Sequence, residues 1–237
     1  MAIDKRTKKI ERKLEDGVFD ANTMDVLHKL MRQGHIDKLG GPIAVGKEAN
    51  VYRAYLGEEK RAVKIYRIET SSFRKMMPYL EGDPRFDVRQ AKYDIILVWA
   101  KKEFQNLKRA YKAGVPCPKP IAVHKNVLVM GFIGDEEPAP ELKDYVPEDI
   151  QSVYKGVVDS LHTLYQTAGL VHGDMSEFNI LLKDDKPVLI DFGQSMLKEH
   201  IRGEELLNRD CGVLAKFFNK HGVETSDLEI KKAITRA

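Results

Sequence analysis

The chain has 237 residues, of which 43% are hydrophobic and 32% charged, with a formal net charge of +3 and two cysteines. This is the composition of a globular protein with a densely charged surface, and no run is long and apolar enough to cross a bilayer. Two cysteines are too few for a disulfide framework or a zinc site, so a reducing cytoplasm is the expected setting.

The first thirteen residues carry six basic side chains (Lys5, Arg6, Lys8, Lys9, Arg12 and Lys13) and no apolar run, so they read as a solvated tail and not as a secretory signal. Residues 14–38 carry helical signals. Asp20 or Asn22 can cap a helix, Met24, Leu27, Leu30 and Met31 share one face, and Gly34 stops it. The apolar stripe is a packing surface for the lobe that follows, whereas a winged-helix-like nucleic-acid reader would need more exposed arginines. Leu39-Gly40-Gly41-Pro42 reads as a turn, and strands are expected over 43–45, 51–55 and 61–66.

Between the first two strands lies Gly46-Lys47-Glu48-Ala49-Asn50-Val51-Tyr52. A bend of small residues between strands can lay backbone N–H groups over a nucleotide's phosphates. Set on the kinase loop G-x-G-x-x-G-x-V, the glycine places fall on Ala44, Gly46 and Ala49, with Val51 as the valine that would cover adenine. Lys64 then stands inside an apolar strand, which is costly without a partner. The partner on offer is Glu103, on the apolar stripe of a helix running from Asp87 or Asp94 to 111 with Ile96, Trp99, Ala100, Phe104 and Leu107. The intervening segment 67–90 carries prolines, Gly82 and many charges, and is expected to be a mobile loop at the cleft mouth.

Prolines at 116, 118 and 120 break the chain, and strands over 121–124 and 127–130 follow. Residues 132–140 read as a connector between lobes, where adenine would meet backbone groups of Gly131 and Ile133 with Met130 behind it. A helix from 147 or 148 to 168 leads into LVHGDMSEFNILLKDDKPVLIDFG, residues 170–193. That stretch reads as a loop, a strand over 180–182, a turn through 184–187 and a strand over 188–190 capped by Asp191. The order D-x-x-x-x-N, strand, D-F-G is the kinase catalytic-loop pattern, with Asp174 to orient or deprotonate a hydroxyl and Asn179 and Asp191 to hold magnesium on the phosphates. Asp and Asn are also ordinary turn formers, but three coincident spacings count against that plainer reading. Asp210, inside an apolar helix, is expected to brace this loop from beneath, and His172 to hold it by hydrogen bonding. His124, His162, His200 and His221 lack metal-ligand spacing and are read as structural.

Taken together, GKEANVY, VKIY, WAKKEFQNLKRAYKAGVPCPKP, VLVMGFIG, LVHGDMSEFNILL and IDFGQSM resemble the RIO family of atypical serine/threonine protein kinases, first subfamily, in its short archaeal form. The resemblance covers the chain from Asp20 onward. It implies an α+β, two-lobed, truncated protein-kinase-like fold, with an antiparallel sheet lobe before a mainly helical one. The expected division is a helical extension over 1–38, a nucleotide-binding lobe over 39–134 and a catalytic lobe over 135–237. It also implies Asp174 as catalytic base, Asn179 and Asp191 as metal ligands, and Lys64 as the ATP anchor, with Gly46, Lys47, Val51, Glu103, Met130, Gly131 and Ile133 around the nucleotide. ATP and Mg2+, or Mn2+ in its place, are the cofactors. The pre-small-ribosomal-subunit particle and its RNA are the implied partners, and the membrane is not one. Family members also hydrolyse ATP, with the aspartate matching Asp191 proposed to become transiently phosphorylated, and they autophosphorylate in the segment matching 67–90, which points to Ser71 or Ser72 ahead of Thr70. One departure is Gly131, where the family usually has glutamate. An ATPase switch in ribosome assembly and a small-molecule phosphotransferase are the alternatives to a protein kinase, the latter disfavoured by GKEANVY and by the missing acidic C-terminal substrate domain.

Overall fold

The computed structural model describes residues 20–68 and 73–236. The basic tail and the hydroxyls of Thr70, Ser71 and Ser72 lie outside that range.

Helix α1 (Ala21–Arg32) starts where Asp20 Oδ1 accepts the Thr23 N–H at 2.9 Å, an ordinary N-cap. Its stripe packs Met24, Val26, Leu27 and Leu30 against Val63, Ile65, Val127 and Val129 of the following sheet, so extension and sheet share one core. The sheet comprises β1 (Lys38–Val45), β2 (Ala49–Leu56), β3 (Glu59–Tyr66), β4 (Pro120–His124) and β5 (Val127–Gly131), antiparallel throughout in the order β1-β2-β3-β5-β4. The expected turn at 39–42 is instead the irregular first half of β1, with register shifts on both sides of Pro42. An edge strand tolerates proline because the outer N–H has no ladder partner to lose.

The described part of 67–90 is likewise not a loose loop. Short helix α2 (Phe73–Met76), a 3₁₀ turn (Met77–Tyr79) and the turns that follow bury Met76, Met77, Leu80 and Phe86 in a cluster with Ile96, Trp99 and Ala100. Charges and prolines suggested mobility, but these apolar side chains have a surface to cover and the burial holds the segment down. Helix α3 (Val88–Lys112) is capped by Asp87 and departs from helical geometry at Asp94, with φ −151° and ψ 62°, so both expected starting points mark real features. Its first half belongs to the Trp99 cluster, whereas Leu107 and Ala110 enter the C-terminal core.

That second core is built by α4 (Ile150–Gln166), α5 (Gly203–Lys220) and α6 (Asp227–Thr235) around the short strands β6 (Leu170–Val171), β7 (Ile180–Lys183), β8 (Lys186–Leu189) and β9 (Met196–Leu197). The β7–β8 turn is tighter than expected. Asp184 and Asp185 both take left-handed backbone, φ 52° and 57°, as a two-residue hairpin of matched twist requires, and Pro187 pairs with Leu182 inside β8. Asp191 does not cap that strand, which ends at Leu189; it sits two residues on at φ 63°.

Candidate active site

The site forms where the underside of the sheet meets the loops around β7 and β8. Val51 lies opposite Lys64 in the β2–β3 ladder, and Ala62 lies opposite Met130 in β3–β5. Successive side chains alternate between faces, so Val51, Ala62, Lys64 and Met130 share one surface. Lys64 is buried, and its Nζ lies 3.0 Å from both oxygens of Glu103 and 3.0 Å from Asp191 Oδ1. The expected Lys64–Glu103 pair is therefore present, and Asp191 joins it.

One cation shared by two carboxylates sets the local proton affinities. Burial alone would lower the pKa of Lys64, but Asp191 and Glu103 overcome it and hold the ammonium protonated beyond its ordinary range. Burial also works to raise Asp191, and Lys64 more than offsets it, leaving the pKa of that carboxyl below its usual value. Glu103 is lifted to about 7, by burial first and against the pull of Lys64. Of the pair, Lys64 sets the charge state, because its two anionic neighbours both favour the ammonium.

Asp174 and Asn179 come together as their spacing predicts. Asn179 Nδ2 donates to the Asp174 carbonyl at 2.7 Å and to its carboxylate Oδ2 at 3.4 Å. Burial and the charge of Asp191 raise Asp174 to about 6, against the lowering influence of Arg209 and Asn179. Beneath them, Asp210 is 2% exposed and accepts the N–H groups of Gly173 at 2.7 Å and Met175 at 2.9 Å, the brace its place in an apolar helix suggested. Gly173 has φ +78°, and a Cβ there would come within 2.9 Å of the Gln194 carbonyl, so the bend before Asp174 requires glycine. His172 is buried with its pKa lowered to about 4 by desolvation, so the neutral ring donates through Nε2 to the Ile190 carbonyl at 3.1 Å.

Other expected nucleotide contacts are less free than the motif suggests. The bend at 46–48 is short, and the Gly46 N–H donates across it to the Ala49 carbonyl at 3.0 Å. The Gly131 N–H donates to the Lys119 carbonyl at 2.8 Å, and the Ile133 carbonyl accepts from Ala139 at 3.0 Å. The Gly131 carbonyl, the Ile133 N–H and the N–H groups of Lys47 and Glu48 are the remaining backbone candidates there.

Two residues that the sequence reading passed over tie α3 to the D-F-G segment. Lys102 is fully buried and donates to the carbonyls of Gly193, at 2.9 Å, and Ser195. Asn106 Nδ2 donates to those of Phe192 at 3.0 Å and Ser195 at 2.8 Å, while its Oδ1 accepts from Arg85 at 2.9 Å. The signal was available: 99, 102, 103 and 106 follow helical spacing, so Lys102 and Asn106 flank Glu103 on its own stripe. Arg209, on α5, is the third omission, its guanidinium reaching the Gly173 carbonyl and Gln194.

The RIO domain matches residues 50–232, more than half of the chain. The chain belongs to the RIO family. It is 45% identical over 226 residues to the RIO-type serine/threonine-protein kinase Rio1 of Haloferax volcanii, covering 94% of this chain and 78% of that one. To the Rio1 kinase of Methanocaldococcus jannaschii it is 41% identical over 236 residues, covering 98% and 81%. Among solved structures, the Rio2 kinase–ADP/Mg2+–phosphoaspartate complex from Chaetomium thermophilum superposes with a TM-score of 0.68 at 25% identity. That match covers 89% of this chain and 66% of the other, so this chain spans just under two thirds of that protein. The fold is that of a RIO kinase, and the chain is a serine/threonine protein kinase of that type.

Proposed function

We propose that the Asp174, Asn179, Asp191 and Lys64 constellation transfers the γ-phosphoryl group of ATP to a serine or threonine hydroxyl, and that the chain acts in this way during maturation of the small ribosomal subunit. In this reading the hydroxyl oxygen attacks the γ-phosphorus, its proton passes to Asp174, and the bond to the β–γ bridging oxygen breaks to release ADP. Lys64, kept protonated by its two carboxylates, anchors the phosphates. Asn179 and Asp191 supply an amide oxygen and a carboxylate, the hard donors that Mg2+ accepts, and phosphate oxygens and water would complete such a site. Bound there, the ion would neutralise charge on the phosphates. Mn2+ takes similar donors and is the alternative ion. The adenine would lie under Val51 and Met130, against the Gly131 carbonyl and the Ile133 N–H, with Gly46 and Lys47 over the phosphates.

The observation that supports this reading best is the Lys64 ammonium at 3.0 Å from both Glu103 and Asp191, with Asp174 and Asn179 hydrogen-bonded alongside. A second reading, an ATPase switch, is favoured by the phosphoaspartate in the Rio2 relative. There an oxygen of Asp191 would accept the phosphoryl group, and water would then hydrolyse the acyl phosphate. No helix among the described residues is long and apolar enough to cross a membrane, and the cytoplasm is the proposed location. Inorganic phosphate release and phosphoprotein formation, measured side by side with and without small-subunit particles, separate the two readings. Stoichiometric, Asp174-dependent phosphoprotein is expected of the kinase. Phosphate release that rises with the particles while phosphoprotein stays at background would hand the function to the switch.

A further inference from the structure

Beside the candidate active site, a cavity of about 420 Å³ opens between the bend after β1, the α2 segment, α3 and the chain after D-F-G. Arg74, Lys75 and Arg202 line it, with Tyr79, Trp99 and, on the nucleotide side, Glu48. It adjoins the reacting centre. Gln194, three residues past Asp191, forms part of its wall, Arg209 links Gln194 to the Gly173 carbonyl, and the charge of Glu48 is felt at Asp174. The walls are held in place: Arg202 donates to the Pro78 carbonyl at 3.3 Å and pairs with Glu205, and His200 bonds the Glu81 carbonyl at 2.7 Å. Arg74 and Lys75 are exposed, and among the described residues neither has an ion-pair partner.

We propose that this cavity is a subsite for an acidic segment of the polypeptide substrate, whose carboxylates beside the acceptor hydroxyl are held by Arg74 and Lys75. The inference rests on the protein-kinase reading and deepens it. Its size suits a few side chains, and apolar Met76 and Pro78 line it together with the cations, a mixture that fits peptide. Nucleic acid fits less well. Single-stranded bases need open aromatic faces, whereas Tyr79 has Trp99 at its edge, 6.0 Å away, and the Arg202 guanidinium over its ring at 5.3 Å. Lys102 likewise covers Trp99 at 5.5 Å.

The test is fluorescence anisotropy on the full chain with ADP and Mg2+, using a labelled peptide in which glutamates flank an alanine in place of the acceptor serine, and a lysine-flanked counterpart. Because no transfer occurs, the result is independent of whether the chain turns out to be a kinase or an ATPase. The acidic peptide is expected to bind about tenfold or more tightly than the basic one, and the Arg74→Glu, Lys75→Glu double variant to reverse that order with ADP affinity unchanged. Equal binding of the two peptides, or an order the double variant leaves intact, overturns the subsite. So does a short single-stranded RNA that displaces the acidic peptide and loses its own binding in the double variant. With the serine restored, a preference for transfer to the acidic peptide supports the subsite, and acidic binding without transfer counts against the kinase reading alone.

Discussion

At the scale of single residues, the candidate site is governed by how few cations serve its carboxylates. Arg209 works to lower Asp174 but does not prevail, and burial beside Asp191 raises it to about 6. As the proposed general base it must be ionised, so kcat/KM for phosphoryl transfer should fall with acidification around pH 6 and not around pH 4, read from a pH–rate profile of the free enzyme. Asp174→Ala should cut transfer by about 10²-fold or more while nucleotide binding survives, and wild-type turnover in that variant would remove Asp174 from its role. Lys64 and Glu103 act as one unit, so a double-mutant cycle on ATP affinity should show a coupling of about 1 kcal/mol or more. Additive losses would mean that Asp191 alone suffices to hold Lys64.

At the scale of elements, α3 does more than present Glu103. Through Lys102 and Asn106 it holds three carbonyls of the segment that carries Asp191, and Gly193 is pressed so close to Trp99 that a Cβ would lie 3.0 Å from the indole nitrogen. Replacing Lys102 by Met leaves buried carbonyls short of donors and should cost about 1–3 kcal/mol of stability for each one orphaned. Desolvation, helped by Arg85 and opposed by Asp83, brings the Lys102 pKa down to about 7. Unfolded lysine titrates near about 10.4, so between these values the unfolded chain binds a proton that the folded chain does not. Lys102 therefore adds stability as pH rises from 7 towards 10, and that increment is lost as pH falls back from 10 to 7. Melting curves at several pH values should show this slope in the wild type and not in Lys102→Met. In α1, Leu27 is fully buried against the sheet, so Leu27→Ala should destabilise by about 2–5 kcal/mol in chemical denaturation. A loss well below that would mean that α1 is detachable from the sheet.

At the scale of the whole molecule, the chain has an N-terminal core between α1 and the sheet, a C-terminal core around α4 and α5, and a separate cluster around Trp99. The connector carries consecutive acids that reach both ways: Glu136 pairs with Lys60 at 2.8 Å and Glu137 with Arg53 at 2.9 Å, while Asp135 pairs with Lys183 of β7 at 2.6 Å. These pairs are solvent-exposed and salt-screened, so they bias the hinge more than they hold the fold together. The proposed contact with small-subunit RNA also belongs to this scale. It would run through phosphates, so its affinity should fall steeply with added salt in a filter-binding titration, and an affinity indifferent to salt would exclude it.

That Asp174, Asn179 and Asp191 come together was legible because their spacing is local. Asp174, Asn179 and Asp191 lie on one short loop–hairpin–loop, and a lysine in an apolar strand announces a partner wherever that partner sits. The α1 stripe and the α3 stripe with Glu103 on it were legible for the same reason, since helical period places side chains without knowledge of the fold. Local signals misled where tertiary burial overrides them: Gly40-Gly41-Pro42 entered a strand because an edge tolerates it, and 73–86 folded down because Trp99 offered a surface. Only the tertiary structure could show that Lys64 is shared with Asp191, that Lys102 and Asn106 grip the D-F-G backbone from 86 to 93 residues away in sequence, and that Arg209 reaches Gly173. Such contacts depend on which carbonyls and carboxylates the packed lobes leave in need of a donor, and no periodicity along the chain encodes that.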